Sequence, residues 1–253
     1  MNAKNLSRRA ILKGGAAAAV GASLLTFNQA FGYSKLFGVA AADDDAATVA
    51  NLAATAELFA STHYMAAISN AKALGLDNES VLKYLKAGFL AEEDHYDLLT
   101  GALKAKPVVT EFYVPANLFS DKKTFLATTE VAETTFVSAY LAATRIFAMM
   151  GKDGVSLAVT AAQIAAVEAE HRLFIRQQAG LLPNNQSYAE FQFENVSGAV
   201  PVLMPFIDPA AAKKAGFVGP VKPPTADEVK ALRAEAKAIG YDGKGAPYAA
   251  MKM

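Results

Sequence analysis

Glu92 and His95 form a Glu-x-x-His motif, and Glu168 and His171 form a second, 76 residues further on. Both lie in Ala-rich, proline-free stretches of the kind that build long helices, where residues three apart share a face. Each pair can therefore aim two donor heads at one point. The same interval of 76 carries Glu57 onto Glu133 and Tyr64 onto Tyr140, and the separations Glu57–Glu92 and Glu133–Glu168 are both 35. The chain reads as two helical hairpins with equivalent residues at equivalent depth.

Four segments carry helical periodicity: 46–74, 78–105, 121–150 and 154–179. Gly75 and Gly151 are expected to stop the first and third, with Asp77 or Asn78, and then Asp153, capping the helices that follow. Connections this short make the joined helices antiparallel neighbours. The middle connection, Pro107 to Ser120, has 14 residues. Extended, it spans about 45 Å, and a helix of the expected length is about 40 Å long. It can run the whole length of a bundle and start the third helix parallel to the second. The expected fold is all-α, a four-helix bundle over 46–180 with a long crossover between helices 2 and 3.

Eight of the ten prolines fall in 181–253. That region reads as a Pro-rich C-terminal extension with one short helix at about 226–239, opened by the capping box Thr225-x-x-Glu228. Its aromatics, Phe191, Phe193, Phe206 and Phe217 among them, point to a tail that wraps the bundle instead of a disordered one.

The repeated acids sit where core residues belong. Glu57 shares its stripe with Ala53, Ala54, Ala60 and Tyr64, and Glu133 shares its own with Phe136, Val137 and Tyr140. Glu92 and His95 fall between Leu85, Phe89 and Leu99, and Glu168 between Ile164, Ala165 and Ile175. Four carboxylates buried without partners would each cost several kcal/mol. Two divalent cations cancel their charge. Two Glu-x-x-His motifs with one Glu from each remaining helix is the general pattern of carboxylate-bridged dimetal bundles, so the expected metal ligands are Glu57, Glu92, His95, Glu133, Glu168 and His171.

Glu130, one turn before Glu133, is the alternative third-helix ligand, but its mate in the repeat would be Ala54. Glu93, Asp94 and Glu170 are expected on other faces, solvated or salt-bridged. His63 is expected to be a structural or surface histidine. Tyr64 and Tyr140 are core tyrosines, hydrogen-bond donors to the ligand carboxylates, or a radical relay.

Composition removes other chemistries. The absence of cysteine excludes disulfides, Cys-rich zinc sites, iron–sulfur clusters and thiol nucleophiles. Lys+Arg and Asp+Glu are both 24, so charge makes no case for nucleic acid. Residues 1–32 hold Lys4, Arg8, Arg9 and Lys13 but no acid, followed by an Ala/Gly-rich apolar run too short to span a membrane. The pair Arg8-Arg9 resembles a twin-arginine export signal. Ala30-Phe31-Gly32 and Val39-Ala40-Ala41 are both suitable cleavage sites; a cut after Gly32 removes four positive charges and leaves a net charge of −4. No transmembrane segment is expected in the mature chain.

On the six-residue pattern, and on the phrase Glu133-Thr134-Thr135-Phe136-Val137-Ser138-Ala139-Tyr140, the chain resembles the ferritin-like superfamily. It is most similar to exported ferritin-like domain proteins related to plant and bacterial desiccation-related proteins. The resemblance covers roughly 46–180. It implies a ferritin-like bundle, with Glu92 and Glu168 bridging two ions and Glu57 and Glu133 terminal. One departure is that Ala91 and Val167 stand where oxygenases of the superfamily often carry Asp, which weakens an oxygenase reading. Twin-arginine export implies a chain folded and metal-loaded before it meets the Tat translocon, and a periplasmic or otherwise exported location.

Oxygen-rich ligation without sulfur suits two Fe or two Mn. The leading expectation is a di-iron protein that oxidises Fe(II) with O₂ or peroxide in envelope stress protection. A dimanganese catalase-like enzyme and a non-enzymatic, metal-binding desiccation or stress protein are the alternatives. A homodimer is compatible with the sequence; a cage is not expected, because no fifth helix follows the fourth directly.

Overall fold

The computed structural model describes residues 43–243 and 245–248. The export signal with Arg8 and Arg9, and both cleavage sites, lie outside the described residues. Among the described residues no helix is long and apolar enough to cross a membrane.

The four expected helices are present. Helix α1 (Ala46–Ser69) starts at Asp45, whose side chain accepts from the Thr48 backbone N–H at 2.7 Å. It stops five residues short of the expected end, because Asn70 takes the cap and 70–75 turn back through Gly75, held in the left-handed region at φ +61°. Asn78 caps α2 (Glu79–Asp97), which continues as a π-helical turn over Leu98–Ala102. Asp121 caps α3 (Lys122–Met149), and α4 is Val155–Gln178. Asp153 does not cap α4 as expected. A 3₁₀ turn over Gly151–Asp153 already includes it, and Gly154 stands at the N-cap instead.

The crossover runs the full length of the bundle. At its start the Lys106 backbone N–H donates to Asn51 Oδ1 at 2.7 Å and that of Val108 to Thr55 Oγ1 at 2.8 Å, both near the beginning of α1. At its end Lys122 Nζ reaches the Gly75 carbonyl, beyond the far end of α1. Helix α3 therefore starts beside the start of α2 and runs parallel to it. Strand β1 (Phe112–Pro115) lies midway, with Phe112 fully buried.

The tail encircles the bundle and is more structured than expected. It passes α3, where Ser138 Oγ donates to the Glu190 carbonyl at 2.6 Å, and reaches the start of α1, where Asp44 accepts from the Ser197 N–H at 2.8 Å. Two short helices absent from the sequence expectation follow, α5 (Val200–Ile207) and α6 (Pro209–Ala215). Both carry proline in their first turn, where its missing N–H costs nothing. Phe206 on α5 packs edge-on against Phe59 at 5.2 Å between ring centroids. Strand β2 (Phe217–Val221) then pairs antiparallel with β1, Phe112 opposite Val221 and Pro115 opposite Phe217. The expected capping box opens α7 (Ala226–Ile239), which lies on α2 through Leu232 and through Arg233 bonded to Asp94 at 2.7 Å and Asp97 at 2.9 Å.

Candidate metal centre

All six residues of the repeat converge between the four helices. The four carboxylates are 0–2% exposed and His171 is 4% exposed. They form two overlapping groups, Glu57, Glu92, His95 and Glu168, and Glu92, Glu133, Glu168 and His171, in each of which one donor atom per residue lies within 4.8 Å of the others. Glu92 and Glu168 are common to both, while each group adds one glutamate and one histidine of its own. Two-fold symmetry follows from the 76-residue repeat.

Around His95 the donor spacing fits an ion better than it fits direct hydrogen bonds. His95 Nδ1 stands 3.5 Å from a carboxylate oxygen of each of Glu57, Glu92 and Glu168. His171 Nδ1 stands 2.9 Å from Glu92 Oε1 and 3.2 Å from Glu168 Oε2. Donors bound at about 2.1 Å to a common ion lie about 3.0 Å apart at a right angle and about 3.4 Å apart in a tetrahedron. Both Glu92 oxygens, Glu133 Oε2, Glu168 Oε1 and His95 Nδ1 are buried without a hydrogen-bond partner. Orphans of this kind are expensive unless something binds them. The residues present therefore fit a pair of divalent cations, through oxygen and imidazole donors alone.

The tyrosines hold Glu57 and Glu133, and they do so across the repeat. Tyr64 on α1 donates to Glu133 Oε1 on α3 at 2.8 Å, and Tyr140 on α3 donates to Glu57 on α1. Gly88 on α2 makes room for this. A Cβ there would meet Tyr64 Cε1 at 3.3 Å and stand 3.7 Å from His171 Nε2. An isolated glycine inside a helical pattern was the available sequence signal for that close approach.

The neighbouring polar residues separate from the cluster. Glu130 is ion-paired to Arg176, with Arg172 at 3.8 Å, and belongs to neither donor group. Asp94 is salt-bridged as expected, and Glu170 is exposed. Glu93 departs from expectation: it is 7% exposed, and burial first of all raises its pKa, because the close approach of α1 and α2 covers that side of the helix too. His63 is a core histidine, with Nε2 2.8 Å from Thr129 Oγ1 and its ring stacked on Phe125 at 4.9 Å. Burial pushes its pKa down to about 4, so it remains neutral at physiological pH.

Without metal the cluster must hold protons. Burial pushes the Glu57 and Glu133 carboxyls well above their usual range, and the Glu168 and Glu92 carboxylates add to it. Burial works against charge on the imidazoles, yet Glu57 beside His95 and Glu92 beside His171 hold both well above the ordinary histidine value. Burial opposes charge on Glu92 as well, but His171 and His95 keep it below the ordinary carboxylate range.

The sign of the pH dependence follows. Each raised group contributes stability that is complete below its unfolded value, 4.5 for glutamate and 6.5 for histidine, and that is lost as pH rises through the higher folded value. Glu92 runs the other way, contributing above 4.5 and losing its contribution only in acid. Metal binding must displace the protons and so strengthens as pH rises. Between about pH 5 and pH 9 the melting temperature of the metal-free protein falls, and the gap to the metal-loaded protein widens. Thermal melts with chelator and with saturating Fe(II) or Mn(II), across that range, check both trends.

Neither the curated proteins nor the solved structures include a match to this chain. The profile of the ferritin-like domain matches residues 45–181, from the cap of α1 to just beyond α4. It spans more than half of the chain and contains all six residues of the buried carboxylate–histidine cluster. The chain belongs to the ferritin-like domain family.

Proposed function

We propose that this is an exported dimetal-carboxylate protein, di-iron in its working form, that oxidises Fe(II) at the expense of O₂ or peroxide and so protects the cell envelope under oxidative or drying stress. The observation that carries this reading is the pair of donor groups sharing Glu92 and Glu168. Glu57 and His95 would complete one ion position, and Glu133 and His171 the other. Two iron ions held there would supply the two electrons that reduction of peroxide needs, each passing from Fe(II) to Fe(III).

The protein's own part is binding, orientation and exclusion of water. Tyr64 and Tyr140 fix the terminal carboxylates, which leaves Glu92 and Glu168 free of competing hydrogen-bond donors other than the histidines. The surrounding Ala, Phe and Leu side chains keep the dielectric low, so carboxylate charge is neutralised by the ions and not by solvent. The twin-arginine pair Arg8-Arg9 supports folding and metal loading before export.

Elemental analysis of protein recovered from its own host tests the reading. About two Fe per chain, followed by oxygen uptake and a ferric absorption band on adding Fe(II) in air, is the expected result. About two Mn per chain, with O₂ released from peroxide, would replace it with the catalase-like reading. Chains that bind neither metal would overturn the dimetal reading altogether.

A further inference from the structure

A cavity of about 340 Å³ lies on the histidine side of the cluster, between α2 and α4. His95 and His171 form part of its lining, with Gly88, Ala91 and Val167 at the helices and Tyr84 at one side. Its opposite wall is made by the tail, outside the family domain: Tyr241, Gly243, Gly245 and Pro247. This wall is held from both helices. The Tyr241 hydroxyl donates to Asp94 Oδ2 on α2 at 2.5 Å, on the same carboxylate that binds Arg233 of α7. On the other side the Tyr248 backbone N–H donates to Gln163 Oε1 on α4 at 2.9 Å. Asp94 lies next to the donor His95 in sequence, so the strap is anchored within one residue of the cluster.

The positions of Ala91 and Val167 give the cavity its use. Each side chain lines the chamber immediately before a shared glutamate, and neither brings a donor atom to the cluster. Both face the chamber with apolar side chains, so neither fills it with a charged head. At that size the cavity is ample for a peroxide and admits a flat bidentate chelator as well. The lining sets the two imidazoles, Asp94, Gln163 and Glu170 in a mostly apolar wall, an arrangement that can orient a small molecule carrying polar atoms.

We propose that this cavity is the chamber through which small polar substrates reach the dimetal centre, and that Tyr241 is its specificity-determining residue, setting the upper size of what passes between α2 and α4. The proposal rests on the dimetal reading above. It goes further in assigning a selective role to a tail residue that lies outside the ferritin-like domain.

The test uses the full chain loaded anaerobically with Fe(II), its iron counted before each run. Iron is withdrawn with phenanthroline and, separately, with its bulky derivative bathophenanthroline disulfonate, in about 0.5 M salt to screen charge. The intact protein should yield iron to phenanthroline faster by about tenfold or more, which is a barrier difference of at least about 1.4 kcal/mol. Tyr241→Ala should bring that ratio close to one by accelerating the bulky chelator. Tyr241→Phe, which keeps the ring but loses the bond to Asp94, should fall between. Val167→Phe, which fills the chamber from α4, should slow phenanthroline without changing iron per chain.

Equal rates for the two chelators in the intact protein would overturn the proposal. So would rates independent of chelator concentration, which mean spontaneous release, or an unchanged ratio in Tyr241→Ala with its circular dichroism intact. If Tyr241→Ala fails to fold, Tyr241→Phe and Val167→Phe decide. Failure to load iron at all would instead fall on the dimetal reading, and this proposal would go with it.

Discussion

Replacing Glu168 with alanine should empty both metal positions, whereas replacing Glu57 should empty one. Glu168 and Glu92 belong to both donor groups, while Glu57 and Glu133 each belong to one. Loss of a residue that merely supports a ligand costs about 10–100-fold in metal affinity, and loss of a donor itself costs more. Elemental analysis after gel filtration should therefore give about two metals per chain for the intact protein and for Glu130→Ala, about one for Glu57→Ala and Glu133→Ala, and about none for Glu92→Ala and Glu168→Ala. The Glu130 variant is the control, because that carboxylate is occupied by Arg176. An equal loss in all five variants would mean that the ligands do not divide as the geometry has them. A second measurement separates binding from folding. Burial raises the Glu57 and Glu133 carboxyls, so without metal each must take up a proton to stay buried near neutral pH; metal-free Glu57→Gln and Glu133→Gln, which need none, should therefore melt above the metal-free parent there, not below it.

Metal removal should lower the melting temperature more than any single substitution outside the centre. An ion bound only by the folded state, at about a thousand times its Kd, stabilises by about 4 kcal/mol. Two such ions would give about 8 kcal/mol, and in a chain of this size each kcal/mol moves Tm by about 2–4 °C. Chelation is expected to lower Tm by roughly 15–30 °C, reversibly, with Fe(II) or Mn(II) restoring it. The chain has no disulfide to compensate. A shift of only a degree or two would mean that the helices pack equally well around a protonated, empty cluster.

The helices and the cluster were legible because both rest on period. A 3.6-residue repeat places apolar side chains on one face, and a 76-residue repeat places acids at matching depth on two hairpins; neither depends on distant parts of the chain. Glu133 could be preferred to Glu130 by that spacing alone, and the ion pair to Arg176 agrees. What escaped was tertiary. Strands β1 and β2 are short and exist because the tail returns to the crossover, with Phe112 and its partner Val221 standing 109 residues apart in sequence. Helix α5 looked unsuited to helix for its two prolines, yet Pro201 sits in the first turn and burial of Phe206 against Phe59 holds the rest. Glu93 was misplaced because helical phase tells which side faces the bundle axis, not how closely the neighbouring helix covers the flank. Nothing near Tyr241 marked it. Its significance comes from the path of the tail across α2 and α4.

The exchange of tyrosines between the hairpins bears on how such a chain can change over generations. Tyr64 supports Glu133, and Tyr140 supports Glu57, so each half of the molecule carries the brace for a clustered glutamate of the other. A lesion at Tyr64 is felt at the His171 end of the cluster, in a helix encoded about 100 codons downstream. A hairpin moved into another chain, or duplicated alone, would leave its own glutamate without the tyrosine that braces it here.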